Sequence, residues 1–323
     1  MVTLAKVASS PDNRAISEER RRFWPEGVIQ PSQGFVELAP NHKTGLTLAN
    51  PVMPAAGCFG FGTEYARLIE MDALGAIVVG PVTAGPRRGA EPPRILPLPP
   101  GQGGPGGVLL HTGLANPGIA AVVRRYARAW ARSPVPVIVH VAGTSPDEVA
   151  SCCWRLSGEA VAGIELGLPD AADLDDIIAI VRAARVAASQ PLIVRLSLAQ
   201  AGMLCEVAVE ASTLCEAAVE AGADALTVAA PPRGTVWYTP GGRFVTGRLY
   251  GPFVLPQAVH ALRRVAELTP VPLIGCGGIH SAEDGLAFLR AGAVAVQVGG
   301  ALWRDPACLA RIARSLSPAV EPR

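Results

Sequence analysis

Ile274-Gly275-Cys276-Gly277-Gly278-Ile279, then Ser281-Ala282-Glu283-Asp284, then Ala295-Val296-Gln297-Val298-Gly299-Gly300: this stretch decides the fold. Two short apolar runs each end in a glycine pair, and a helical pattern lies between them. Apolar runs with no polar alternation suit strands buried on both faces, as in a parallel sheet covered by helices. Ser281 suits an N-cap, and Glu283 and Asp284 suit the first turn of the helix that follows. The glycine pairs place bare backbone amides beside a helix N-terminus, a cradle for an anion with no side chain in the way. Glycines also make tight turns, but turning alone does not require a pair at two successive strand ends.

The same alternation runs back through the chain. Strands are expected at Val52–Ala56, Ala76–Val79, Val135–Val141, Gly163–Leu166, Leu192–Leu196, Ala225–Ala229, Pro272–Cys276 and Ala293–Val298. Helical patterns separate them, among them Glu64–Leu74, Ile119–Ala131, Ala171–Val186 and Ala282–Ala291. Eight such units predict an α/β fold, a single-domain (β/α)₈ TIM barrel, whose phosphate sites fall after the last two strands. An open doubly wound sheet is the alternative, but its early glycine-rich fingerprint is missing. The expected organisation is an irregular N-terminal arm over 1–34, the barrel over 35–316 and a short tail over 317–323.

Two connections are long: 81–117, rich in Pro and Gly, and 231–255, with a hairpin expected over Trp237–Val245. Both follow strands, so both are expected at the mouth that carries the site. An eight-residue repeat, Leu204–Ala211 and Leu214–Ala221, recurs at an offset of ten. At 3.6 residues per turn the copies stand about 80° out of phase, so one is expected to be the more exposed.

Composition narrows the chemistry. Half of the 323 residues are apolar and 17% are charged, enough to fill a large core. A net charge of +1 argues against a nucleic-acid surface. The apolar runs are too short for a membrane span, and Glu18-Glu19-Arg20-Arg21-Arg22 is unlike a signal peptide. Seven cysteines (58, 152, 153, 205, 215, 276 and 308), with no CxxC spacing, read as buried thiols of a reduced, cytoplasmic protein without a metal centre. Lys6 and Lys43 are the only lysines. Arginine forms no Schiff base, so imine chemistry is excluded from the rest of the chain.

Residues 50–315 resemble the dihydroorotate dehydrogenases of the cytosolic class, nearest their class 1B catalytic subunit. The resemblance rests on Pro54–Gly62, Glu64-Tyr65, Leu74–Val78, Pro93-Arg94, Gly113–Gly118, Val141–Gly143, Gly251-Pro252 and the Gly277–Asp284 stretch, in order. It implies an FMN-dependent oxidoreductase acting on a CH–CH bond, nominally dihydroorotate to orotate in pyrimidine biosynthesis. By resemblance the FMN phosphate falls to Gly251, Gly277, Gly278, Gly299 and Gly300, and the rest of the flavin to Ala56, Gly57, Gly80, His140, Arg195 and Val228. The resemblance also implies a homo-oligomer and an electron-transfer partner subunit, with no nucleic acid or membrane involved.

The substrate side departs from the family. The family's Lys after the second strand is missing from Val79-Gly80-Pro81, and its Asn-Ala-Ile-Gly-Leu loop reads Leu110-His111-Thr112-Gly113-Leu114. The third-strand Asn is His140, and the Asn-x-Ser-Cys-Pro-Asn that carries the catalytic Cys is shortened to Gly167-Leu168-Pro169-Asp170. Arg195 replaces a Lys, and Ala229-Ala230 replaces Asn-Thr. His111, His140 and Asp170 are therefore the candidate catalytic residues, and Glu165 is expected to be a structural partner of Arg195. Three readings stay open at this point: dihydroorotate oxidation, a flavoprotein turned to another substrate, and a non-catalytic homologue.

Overall fold

A computed structural model describes residues 35–100, 106–201 and 208–317, with backbone only over 208–213. These residues belong to one compact unit spanning 31–323. The expected arm over 1–34, residues 318–323 of the expected tail, and residues 204–207, half of the first repeat copy, lie outside the described residues.

Eight parallel strands form the centre: β3 (Val52–Pro54), β4 (Ile77–Val82), β7 (Val137–Ala142), β8 (Gly163–Gly167), β9 (Leu192–Ser197), β10 (Ala225–Ala230), β13 (Leu273–Cys276) and β14 (Ala295–Val298). Their order is β3-β14-β13-β10-β9-β8-β7-β4. Backbone bonds from Gly75 N to Val52 O and from Gly57 N to Gly80 O, both 3.0 Å, bridge the seam between the end strands. The sheet thus curls into a nearly closed α/β barrel, and all eight expected strands are in it.

Helices α1 (Ile119–Trp130), α2 (Pro146–Leu156), α3 (Leu174–Ala187), α4 (Ala208–Glu220), α5 (Leu255–Ala266), α6 (Ala282–Arg290) and α7 (Cys308–Leu316) pack outside. Their starts follow local chemistry. Asp173 accepts the N–H of Asp176 at 2.9 Å, and Ser281 forms a reciprocal capping box with Asp284. The expected helix over Glu64–Leu74 is replaced by turns and a short 3₁₀ segment, Met71–Ala73. Ile69 and Leu74 are buried there while Leu68 stays 60% exposed, so the segment packs against the core without helical turns.

Two cores result from the two-residue period of the strands. Val137, Val139, Val194 and Leu196 face the helices. Met53, Val78, Ile138, Ile193 and Ile274 face inward and meet Leu38, Leu46 and Leu48 of a small hairpin, β1 (Val36–Glu37) and β2 (Thr47–Leu48), that plugs one end.

The two long connections do more than cross the mouth. β5 (Ile95–Leu98) and β6 (Gly107–Leu110) from the first pair with β11 (Arg233–Tyr238) and β12 (Arg243–Tyr250) from the second, in the order β11-β12-β6-β5. The second contains the expected hairpin. Pro97 is tolerated because β5 is an edge strand.

Candidate functional site

Above the apolar filling of the barrel lies a polar layer. Glu165 on β8 is fully buried, and its carboxylate meets side chains from four other strands. Oε1 accepts Thr227 Oγ1 of β10 at 2.8 Å and Gln297 Nε2 of β14 at 2.6 Å. Oε2 accepts His140 Nδ1 of β7 at 2.7 Å and lies 3.6 Å from Arg195 Nη1 of β9. Burial alone would raise the carboxyl pKa, but the Arg195 charge and the His140 hydrogen bond overcome it and hold the group down at about 2. Glu165 is thus an ionised tie across the barrel interior, the partner of Arg195 that the sequence suggested.

Arg195 also points a donor outward. Its Nη2 donates to Cys276 Sγ at 3.4 Å, while its Nε and the Oε1 of Gln297 are buried with no protein partner among the described residues. Burial raises the thiol pKa of Cys276, with Arg195 opposing, and burial pushes Cys58 up to about 12. Neither thiol is a ready base. The six cysteines among the described residues are all free and buried, as expected; Cys205 lies outside them.

Arg195 and Cys276 form one wall of a cleft at the strand ends, whose other lining includes Gly251, Gly277, Gly278, Gly299 and Gly300. The two glycine pairs therefore meet around one space. Gly277 and Gly278 have φ of +127° and +74°, which side chains disfavour. A Cβ on Gly278 would stand 2.4 Å from the backbone N of Leu255. A side chain at 277 or 278 would collide with the start of α5, at Ala258 or Leu255. Ala55, Tyr250 and His280 also line it and were not anticipated; His280 hydrogen-bonds Gly278 O through Nδ1 at 2.9 Å.

The other expected residues fall as follows. Ala56 and Gly57 follow β3, and Gly80 sits in β4 with φ +109° and its Cβ direction closed by His140 O at 2.8 Å. The Val228 side chain belongs to the helix-facing core, so only its backbone reaches the strand end. His140 is on the inner face, as its bond to Glu165 requires. His111 follows β6, with its backbone N–H on Arg94 O at 2.7 Å. Asp170 is held by two arginines of the long hairpin, Arg248 at 2.9 Å and Arg233 at 3.4 Å. Thr227 and Gln297, lone polar residues inside apolar strands, are part of the interior network that the sequence reading passed over. That isolation was a usable signal, because a buried polar group needs a partner.

Among the described residues no helix is long and apolar enough to cross a membrane, and no group of His, Cys, Asp and Glu could hold a metal. The family profile described as Dihydroorotate dehydrogenase matches residues 40–320. The "Dihydroorotate dehydrogenase B (NAD(+)), catalytic subunit" of Desulforudis audaxviator is 38% identical over 287 residues, covering 84% of this chain and 89% of the relative. The proteins of the same name from Pelobacter propionicus and Listeria monocytogenes are 36% and 34% identical, covering 84% and 81% of this chain and 90% and 86% of theirs. With its barrel, its strand-end glycine pairs and these relatives, the chain belongs to the dihydroorotate dehydrogenase family.

Proposed function

We propose that residues 35–316 form an FMN-dependent oxidoreductase domain acting on a CH–CH bond, with dihydroorotate, which the relatives' name specifies, as the substrate to test first. The observation that carries this reading is the glycine cleft beside Arg195. A phosphate suits strand ends whose glycines leave the backbone bare of side chains, and the unpartnered Nε of a buried guanidinium supports a polar ring system beyond it. Gly251, Gly277, Gly278, Gly299 and Gly300 would hold the phosphate. Arg195, with backbone at Ala56, Gly57, Gly80 and Val228, would hold the ring. Bound there, FMN supplies a two-electron acceptor for hydride.

The protein's own contribution is to bind, orient and manage protons. Glu165 keeps Arg195 fixed and paired, which a cation buried this deeply requires. His111 and His140 are the acid–base groups at the mouth. Asp170 is engaged with Arg248 and Arg233, so its role is to hold the hairpin over the site.

A second reading, a flavoprotein turned to a less polar substrate, is favoured by one specific feature. Gly80, Leu110, Gly167 and Ala229 stand where the family carries hydrogen-bonding side chains, and none of them can hydrogen-bond through its side chain. A planar amide ring leaves polar groups unmet in such a pocket, at about 1–3 kcal/mol each. The relatives are catalytic subunits by name, which supports a partner subunit as the exit for electrons. A homo-oligomer and a cytoplasmic location complete the proposal.

Anaerobic stopped-flow mixing of FMN-loaded protein with dihydroorotate separates the readings. Flavin bleaching within seconds supports dihydroorotate as substrate. No bleaching, with normal reduction by dithionite, leaves the flavin site standing and assigns another substrate.

A further inference from the structure

Gly167 is the last residue of β8, and its inward Cβ direction is blocked. A Cβ there would meet Nε2 of His140 at 2.5 Å and Cε1 at 2.8 Å. The imidazole therefore fills the space that any side chain at 167 would take. The ring lies between Glu165, one layer deeper, and Gly167, at the mouth end of the same strand. An ionised Glu165 can only accept, so Nδ1 of His140 must carry the hydrogen of their 2.7 Å bond. In the neutral ring Nε2 then holds a bare lone pair. Nε2 makes no hydrogen bond among the described residues, yet it is not among the sealed, unpartnered buried atoms. It therefore keeps some exposure to solvent.

We propose that His140 is the proton acceptor of the reaction, oriented by Glu165 and admitted to its place by the missing side chain at Gly167. This rests on the flavin oxidoreductase reading above. As hydride leaves one substrate carbon with its electron pair, for the two-electron acceptor that FMN would supply, the neighbouring carbon gives its proton to Nε2. The electron pair of that second C–H bond becomes the new C=C bond. The imidazolium formed is balanced by the Glu165 carboxylate, an orienting arrangement that general-base histidines need. The other ionisable groups around this layer are Arg195 on β9, Cys276 on β13, Cys58 and Tyr250; Arg195 interacts with Glu165 and with each of these.

The test uses the full-length, FMN-loaded protein. Ring-¹⁵N NMR of labelled histidines is expected to show His140 protonated at Nδ1 and bare at Nε2 near neutral pH, with the Nε2 resonance moving on FMN loading. Protonation at Nε2, or indifference to FMN, overturns the proposal. With dihydroorotate as the probe, His140→Gln is expected to slow flavin reduction by about 10²–10⁴-fold while dithionite reduction is unchanged. An unchanged rate overturns the proposal. Gly167→Ala is the second variant, for use if His140→Gln does not fold. It keeps the imidazole but displaces it, so the Nδ1–H signal on Glu165 should be lost and the rate should fall. A wild-type flavin that dihydroorotate never reduces would count against the substrate alone, and the NMR result would still decide for or against His140.

Discussion

The two halves of the barrel mouth are built on different principles. At β13 and β14 the proposed site is made of backbone: glycines at which a side chain would collide with packed neighbours, beside a capped helix start. At β4, β7, β8 and β10 the family's site is made of side chains, and here those side chains are gone or exchanged. Backbone recognition is fixed by φ values and close approaches, so few substitutions survive there. Side-chain recognition can be rewritten position by position without disturbing a strand. On the proposed reading, the contrast separates an anion cradle kept at β13 and β14 from substrate-facing groups that have changed.

The largest expected effect comes from the tie between the two halves. Glu165→Ala leaves Arg195 buried without its anion and should cost about 3–5 kcal/mol of stability in chemical denaturation. The same carboxyl sets an acid limb. Its folded pKa is lowered from 4.5 to about 2, so its contribution is full above pH 4.5 and is lost as pH falls from there towards 2. Glu165→Gln should flatten stability across that window, as read by denaturation at stepped pH.

A smaller effect should appear on the backbone side alone. Gly278→Ala forces a side chain into φ +74° against the backbone of Leu255. The left-handed strain of about 1–2 kcal/mol falls on the folded chain with or without FMN, so the midpoint of chemical denaturation should drop by at least that much. FMN affinity should fall as well in a fluorescence titration, because the shift that relieves the clash moves the backbone of the proposed cradle. The smallest effect belongs to the hairpin. Asp170→Asn loosens the contacts to Arg248 and Arg233, which are partly exposed and worth no more than about 1 kcal/mol. It should speed limited proteolysis within 231–255 and leave FMN binding unchanged.

Much of this was legible in the residues. All eight strands could be read from unbroken apolar runs, because a strand buried on both faces has no other pattern. The glycine pairs were legible because their chemistry is local. The four-stranded sheet over the mouth was not, apart from its hairpin: Pro97 and the glycines around Gly107 mask any alternation in β5 and β6. The Glu165 network was only partly legible. Its members are spread from His140 to Gln297, and only barrel closure brings them within hydrogen-bonding reach. Asp170 shows the limit of position alone, since its arginine partners lie 63 and 78 residues further along the chain.

Comparing FMN with riboflavin tests the central claim most directly, because the two differ only in the phosphate. Equilibrium dialysis of the full-length protein should find one FMN bound per chain. Riboflavin should bind at least about 100-fold more weakly, since charge-assisted hydrogen bonds contribute about 1.5–3 kcal/mol each. Equal affinities for the two, or no binding of either, would contradict the backbone cradle on which the account rests.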